Sequence, residues 1–332
     1  MRIGIVTPAP PNSRSGNRIT ALRWAKILRR LGNRVSILQA YHDEHYDLLV
    51  ALHARRSYPS IIKFRRQNPE SQIVAALTGT DLYRDLRRNH RTHKSLEIAN
   101  RIVVLQPKAI EELRPACRAK TRVIFQSVEA LPGTASKTKA NKAYLDDLPN
   151  GTFDVCVIGH LRAVKDPFRA AMAARLLPFS SRVRILQMGG AMTDAMAFRA
   201  RKEMRANPRY EWLGELPRSH VRRILAKSRL SVVASLIEGG ANVVSEAITA
   251  SVPILASRID GNVGILGADY PGLFEVGDTQ QLARLLARAE TDREYLAELR
   301  DRCQKLAPLF DPTREEKAWA DLISELFLIE SA

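Results

Sequence analysis

Leu230-Ser231-Val232-Val233-Ala234-Ser235-Leu236-Ile237-Glu238-Gly239-Gly240-Ala241-Asn242-Val243-Val244-Ser245-Glu246-Ala247-Ile248-Thr249-Ala250 decides the fold class of this chain. The apolar run Leu230 to Ala234 predicts a strand buried on both faces, the habit of parallel sheets. Helical character begins at about Asn242, so strand, glycine turn and helix follow in order. That places Glu238 just before a helix N-terminus and Glu246 about one turn inside it. Paired glycines let backbone N–H groups approach a ligand, and a helix N-terminus favours an anion. An anion flanked by two carboxylates suits a sugar nucleotide, whose hydroxyls need acceptors. A plain strand-to-helix turn with a glycine hinge and two solvated glutamates fits the same local residues.

The pattern repeats on both sides. Upstream, Phe153 to Ile158 predicts a strand, Gly159 to Pro167 a loop and 168–177 a helix. Val183 to Met188 with Gly189-Gly190, a helix over 194–206, the segment Tyr210 to Gly214 and a helix over 218–227 complete the approach. Downstream come a strand at Val252 to Ala256, the segment Gly272 to Asp278 and a helix from Thr279 to Ala289. The N-terminal half opens with a strand at Ile3 to Val6 and a loop. Ile19, Leu22, Ala25, Leu28 and Leu31 then mark a helix, with Gly32 at its C-cap position. Strands follow at Val35–Leu38, Leu48–Leu52, Ile73–Leu77, Ile102–Leu105 and Val123–Phe125. Polar tips come after these strands, among them His53-Ala54-Arg55-Arg56 and Thr78-Gly79-Thr80-Asp81. Strand ends are where open parallel sheets place their sites, although polar residues follow strands in any α/β protein.

A chain of 332 residues is long for one core. The polar, small-residue stretch 131–150 reads as a linker. The expected division is an acceptor-side Rossmann-like domain over 1–148, a nucleotide-sugar domain over 149–310, and a C-terminal helix over 311–332. That helix carries Trp319, Leu322, Leu326 and Phe327 on an apolar stripe and needs a surface to dock on.

A hydrophobic share of 45% with 26% charged residues excludes global disorder. No run of about eighteen apolar residues is present. The three cysteines, Cys117, Cys156 and Cys303, match neither a disulfide framework nor a zinc spacing. The N-terminus shows no signal-peptide layout, so the expectation is a cytoplasmic protein with no membrane insertion. The net charge of +17 admits nucleic acid, an anionic surface or a small polyanionic substrate as partner. Scattered arginines without aromatic interleaving argue against nucleic acid and fit solvated helix faces.

Two α/β domains, a linker and a terminal helix resemble a GT-B glycosyltransferase, which implies two domains facing a cleft and the C-terminal helix docking back on the N-terminal domain. Glu238 to Glu246 resembles the Glu-x7-Glu element of family 4 glycosyltransferases, and Pro253 to Ser257 and Gly272 to Asp278 resemble its later landmarks. The resemblance implies retaining transfer from a nucleoside-diphosphate sugar, without metal or other cofactor. It implies ribose contacts for Glu246, sugar contacts for Glu238, and backbone contacts to the pyrophosphate along Gly239, Gly240, Ala241, Asn242 and Val243. Lys165, in Gly159 to Lys165, corresponds to the lysine that neutralises the leaving diphosphate. His160 stands where the family usually has arginine, with Arg162 as the alternative cation. Gly16, Asn17 and Leu213 are placed on the donor side.

The N-terminal half narrows this. Gly16 to Ala25, Ala51 to Ser57 and Leu77 to Tyr83, taken with Gly159 to Pro167 and Glu238 to Glu246, resemble the selenosugar synthases of selenoneine biosynthesis. That family joins a UDP-sugar, chiefly UDP-N-acetylglucosamine, to selenophosphate. The substrates implied are small molecules. Selenium is already a strong nucleophile, so such a site needs cations for the phosphoryl oxygens more than a general base. Arg18, His53, Arg55, Arg56, Thr80 and Asp81 are the acceptor-side candidates, with Asp81 as a sugar or arginine contact or a helix N-cap.

Overall fold

The computed structural model describes residues 1–13, 15–129 and 151–328; the expected linker over 131–150 lies outside them. Twelve strands are present among the described residues, in two parallel sheets. The first holds β1 (Arg2–Val6), β2 (Arg34–Leu38), β3 (Leu48–Leu52), β4 (Gln72–Ala76), β5 (Arg101–Val104) and β6 (Thr121–Val123), in the order β2-β1-β3-β4-β5-β6. The second holds β7 (Phe153–Ile158), β8 (Val183–Met188), β9 (Tyr210–Trp212), β10 (Leu230–Val233), β11 (Ile254–Ser257) and β12 (Leu273–Phe274), in the order β12-β11-β10-β7-β8-β9. Every residue of β3 and β10 is buried, which is why these strands read as unbroken apolar runs and not as alternating ones.

Strand order fixes where loops part. In the first sheet the chain leaves β1 toward β2 and leaves β3 toward β4, so the order reverses between β1 and β3. In the second it leaves β7 toward β8 and β10 toward β11, so it reverses between β7 and β10. Loops at such a reversal diverge and leave a crevice at the carboxyl ends of the strands.

The chain divides into two compact units. One comprises Met1–Ser127, Glu238–Asn242 and Asp311–Ala332; the other comprises Val128–Ile237 and Val243–Phe310. The terminal helix, Pro312–Leu328, belongs to the first unit and docks on it as its stripe predicts. Trp319, Leu322 and Leu326 join the core with Trp24, Leu28 and Ile3. Trp319 is fully buried and meets Trp24 edge-on at 4.9 Å, a contribution of about 2–3 kcal/mol from area alone. The buried Glu315 carboxylate accepts from Trp24 Nε1 at 2.8 Å and from the Ser127 N–H at 2.8 Å, tying the terminal helix to the core of this unit and to Ser127.

Most strand ends fall within one residue of expectation, and two strands depart from it by two residues at an end. The sixth strand is Thr121–Val123, and beyond it only the Ile124 N–H still reaches the Val104 carbonyl. The eleventh begins at Ile254, because Pro253 has no N–H and Ser251, at φ +57°, turns the chain.

Candidate functional site

In the second unit the two diverging loops are joined directly: the Leu236 N–H donates to the Val164 carbonyl at 2.9 Å. Val164 precedes Lys165, and Leu236 lies two residues before Glu238. The Lys165 residue closes a single 3-10 turn, Ala163–Lys165, and Asp166 then turns left-handed at φ +43°. Lys165 Cγ and Cδ lie 3.8 Å from where a Cβ on Gly159 would stand, so the lysine stem runs back along this glycine. Arg162 is exposed at the start of the turn, and His160 is half-buried with its Nδ1 buried and unbonded.

The neighbouring tips brace this loop. Gly189 has φ +142°, and a Cβ there would stand 2.1 Å from the Gly159 carbonyl oxygen; only glycine permits that approach. The Gly189 N–H donates to Gly214 O at 2.8 Å, Trp212 Nε1 to Gly189 O at 2.9 Å, and the Leu213 N–H to Gln187 O at 2.9 Å. Leu213 thus belongs to the brace, half-buried.

The helix after β10 is Asn242–Thr249, beginning at the residue expected, with Val243 and Val244 on its buried face. Glu246 lies on it nearly buried, and Arg218 Nη2 donates to its Oε1 at 2.8 Å. Arg218 opens the helix Arg218–Lys227 and escaped sequence reasoning, since nothing local marks an arginine 28 residues from its partner.

Glu238–Asn242 packs with the first unit. A Cβ on Gly239 would stand 2.5 Å from the Thr78 carbonyl carbon, and one on Gly240 would stand 2.7 Å from Leu105 Cβ. The paired glycines therefore answer to close packing against the ends of β4 and β5. Ala241 is buried, and Asn242 Oδ1 accepts from Arg23 Nη2 at 2.8 Å, a second contact the sequence did not signal.

On the first unit, Gly16, Asn17 and Arg18 form the opening turn of the helix Gly16–Arg30, with Gly16 exposed and Arg18 half-buried. His53 sits at φ +66° and is buried. Its Nε2 meets Thr80 Oγ1 at 3.2 Å, and its Nδ1 is 3.9 Å from Asp81 Oδ2. Burial lowers the His53 pKa against the raising effect of Asp81, so the ring is neutral at neutral pH.

Asp81 does not act as a helix N-cap. Its carboxylate turns away from the one-turn π-helix Asp81–Asp85 and accepts from Ala54 N at 3.0 Å, Thr78 N at 2.9 Å and Gly79 N at 3.0 Å. Nor does it orient an arginine: Arg55 Nη1 pairs with Asp85 Oδ1 at 2.9 Å, leaving Arg56 exposed. Among the described residues no three His, Cys, Asp or Glu side chains gather as a metal ligand set, and no helix is long and apolar enough to cross a membrane.

Residues 146–308 match the family described as Glycosyl transferases group 1. Over 300 residues the chain is 26% identical to a Xenopus tropicalis protein named glycosyltransferase 1 domain-containing protein 1, covering 84% of this chain and 85% of that one. HepE from Anabaena, solved in complex with UDP and glucose, superposes with a TM-score of 0.73 at 15% identity, covering 98% of this chain and 100% of that one. Sucrose-phosphate synthase from Thermosynechococcus elongatus gives 0.78 at 16% identity, covering 99% of each chain. The two Rossmann-like domains are those of the GT-B fold.

Proposed function

We propose that this chain, whose residues 146–308 carry the group 1 glycosyl transferase domain, transfers a sugar from a UDP-sugar to selenophosphate. UDP-N-acetylglucosamine is the favoured donor. The anomeric C–O bond to the diphosphate breaks, its electron pair leaves on UDP, and selenium forms the new bond to carbon. Hydrolysis of the Se–P bond, with water taking the phosphoryl group as inorganic phosphate, then gives the 1-seleno sugar.

One observation supports the transferase reading above the others: the Leu236 to Val164 hydrogen bond. It links the loop that leads into Glu238 and Glu246 with the loop that ends on Lys165, at the reversal of strand order in the second sheet. In this reading Lys165 and Arg162 neutralise the departing diphosphate, with His160 beside them, and Glu246 accepts from the ribose. Glu238 contacts the donor sugar. The N–H groups from Gly239 to Val243, with Gly16, Asn17 and Leu213, complete the donor side. Fixed cations aimed at the leaving group act on the charge that develops in the transition state, so no metal is invoked. HepE is solved with UDP, with UDP and glucose, and with UDP-glucose, which supports the nucleotide.

The candidates for the acceptor side are Arg18, His53, Arg55, Arg56, Thr80 and Asp81. The structure divides these into groups locked in the framework, such as Asp81, and groups that reach solvent, such as Arg56. A small anionic acceptor fits a unit whose strand ends carry arginines such as Arg56, which is exposed.

Incubation with UDP-N-acetylglucosamine, with and without selenophosphate, tests this by mass spectrometry. A selenium-bearing sugar together with UDP release that requires selenophosphate supports it. UDP release that ignores selenophosphate and follows a glycan, lipid or small alcohol sinks the selenium acceptor and leaves an ordinary family 4 transferase.

A further inference from the structure

The turn after β3 sends its two arginines in opposite directions. His53, at φ +66°, bends the chain, and its carbonyl accepts from the Arg56 and Ser57 N–H groups at 3.0 Å each. Arg55 leans toward β4, where Asp85 holds it at 2.9 Å. Arg56 goes the other way. It lines a depression over the carboxyl ends of β2, β1 and β3, together with Pro8, Leu38, Gln39 and His42.

That depression lies mostly over the end of the edge strand β2, with Pro8 and Arg56 bringing in the loops after β1 and β3, the two strands between which the order reverses. Its walls are mixed, with Arg56, His42 and Gln39 as side-chain hydrogen-bond donors and no acid in the lining. The nearest acid in sequence, Asp43, is turned to Lys63 at 2.9 Å and to Gln67 at 2.5 Å. Arg56 is exposed and makes no side-chain hydrogen bond or ion pair among the described residues, whereas Arg55 is already neutralised. A guanidinium in this state has its planar fork available for two oxygens of one tetrahedral anion.

We infer that this depression binds a phosphoryl-type oxyanion on Arg56, with His42 as a second donor, and that Arg55 is a framework cation and not a ligand. This deepens the proposed function and rests on it only in equating the anion with the acceptor's phosphoryl group. The site itself stands on the pocket and the two arginine orientations.

Inorganic phosphate is the probe. It is titrated into the full chain at fixed ionic strength, alone and again with UDP present, and followed by phosphorus NMR line broadening and calorimetry. Saturable binding that survives UDP is expected, because a second anion site is then occupied. Arg56→Gln is expected to weaken that binding about tenfold or more, with Arg56→Lys intermediate, since lysine keeps the charge and loses the fork. Arg66→Gln removes an equal charge from the helix Tyr58–Gln67 and is expected to leave the affinity unchanged.

Undiminished binding in Arg56→Gln overturns the inference, and so does an equal loss in Arg66→Gln, which would mark mere overall charge. Failure of the wild-type chain to bind UDP defeats the sugar-nucleotide reading instead. The comparison of phosphate affinities without UDP still decides the pocket in that case.

Discussion

Asp81 Oδ2 lies 3.9 Å from His53 Nδ1, yet the bond this oxygen makes is to the Ala54 N–H, at 3.0 Å. The other oxygen takes the N–H groups of Thr78 and Gly79. One fully buried carboxylate therefore staples the loop after β3 to the loop after β4, and holds His53 in a left-handed conformation between them.

Asp81→Ala leaves three N–H groups, two of them buried and one part-buried, without their acceptor. Each orphaned donor costs about 1–3 kcal/mol, partly relieved by water entering the gap. A net loss of roughly 3–5 kcal/mol is expected, visible as a lower urea midpoint. Asp81→Asn retains one acceptor oxygen and is expected to recover part of it. Equal stability of Asp81→Ala and wild type would remove the staple.

His53 makes the same region sensitive to acid. Burial depresses its folded pKa below the unfolded value of about 6.5. The unfolded chain then binds the proton more readily, so the stability gained by a neutral ring is complete above about pH 6.5 and is lost as pH falls below it. Asparagine tolerates φ near +60° and cannot titrate. His53→Asn is expected to fold at pH 7 and to show a flatter stability profile than wild type as pH falls below about 6.5. Parallel slopes in the two proteins would mean that His53 is not the group responsible.

Much of this was legible in sequence because buried parallel strands and helix starts are local. Leu48–Leu52 and Leu230–Val233 read as apolar runs, and Asn242 does open its helix. The docking of Trp319 followed from the stripe it sits on. What stayed hidden was which side chain turns to which partner. Nothing in Arg55-Arg56 says that one pairs with Asp85 and the other does not. Nothing near Glu246 points to Arg218. Gly239 and Gly240 read as ligand-facing glycines, yet the atoms their missing Cβ groups would strike belong to Thr78 and Leu105.

Gly239→Ala tests that packing. Its Cβ would stand 2.5 Å from Thr78 C and 2.7 Å from Gly79 N, both backbone atoms that cannot swing aside as a side chain would. The loop Glu238–Asn242 must shift, carrying Glu238 with it. Loss of most UDP-sugar turnover is expected, with the far-UV circular dichroism spectrum retained and the thermal midpoint lowered by several degrees. Full activity in this variant would show that the loop has slack the contacts do not suggest.

Glu246 is the last case, because its carboxylate is already engaged by Arg218. Arg218 is half-exposed, so the pair is worth at most about 1 kcal/mol. A ribose hydroxyl is able to join or replace it at little cost, since a carboxylate has about four lone-pair sites. Glu246→Ala is expected to weaken UDP binding about tenfold or more, from one charge-assisted hydrogen bond lost or more. Arg218→Ala is expected to change it no more than about fivefold, because removing a half-exposed pair alters the acceptor's strength without deleting it. Calorimetric titration of UDP into the two variants separates the roles. A larger loss in Arg218→Ala than in Glu246→Ala would make the arginine, and not the glutamate, the nucleotide contact.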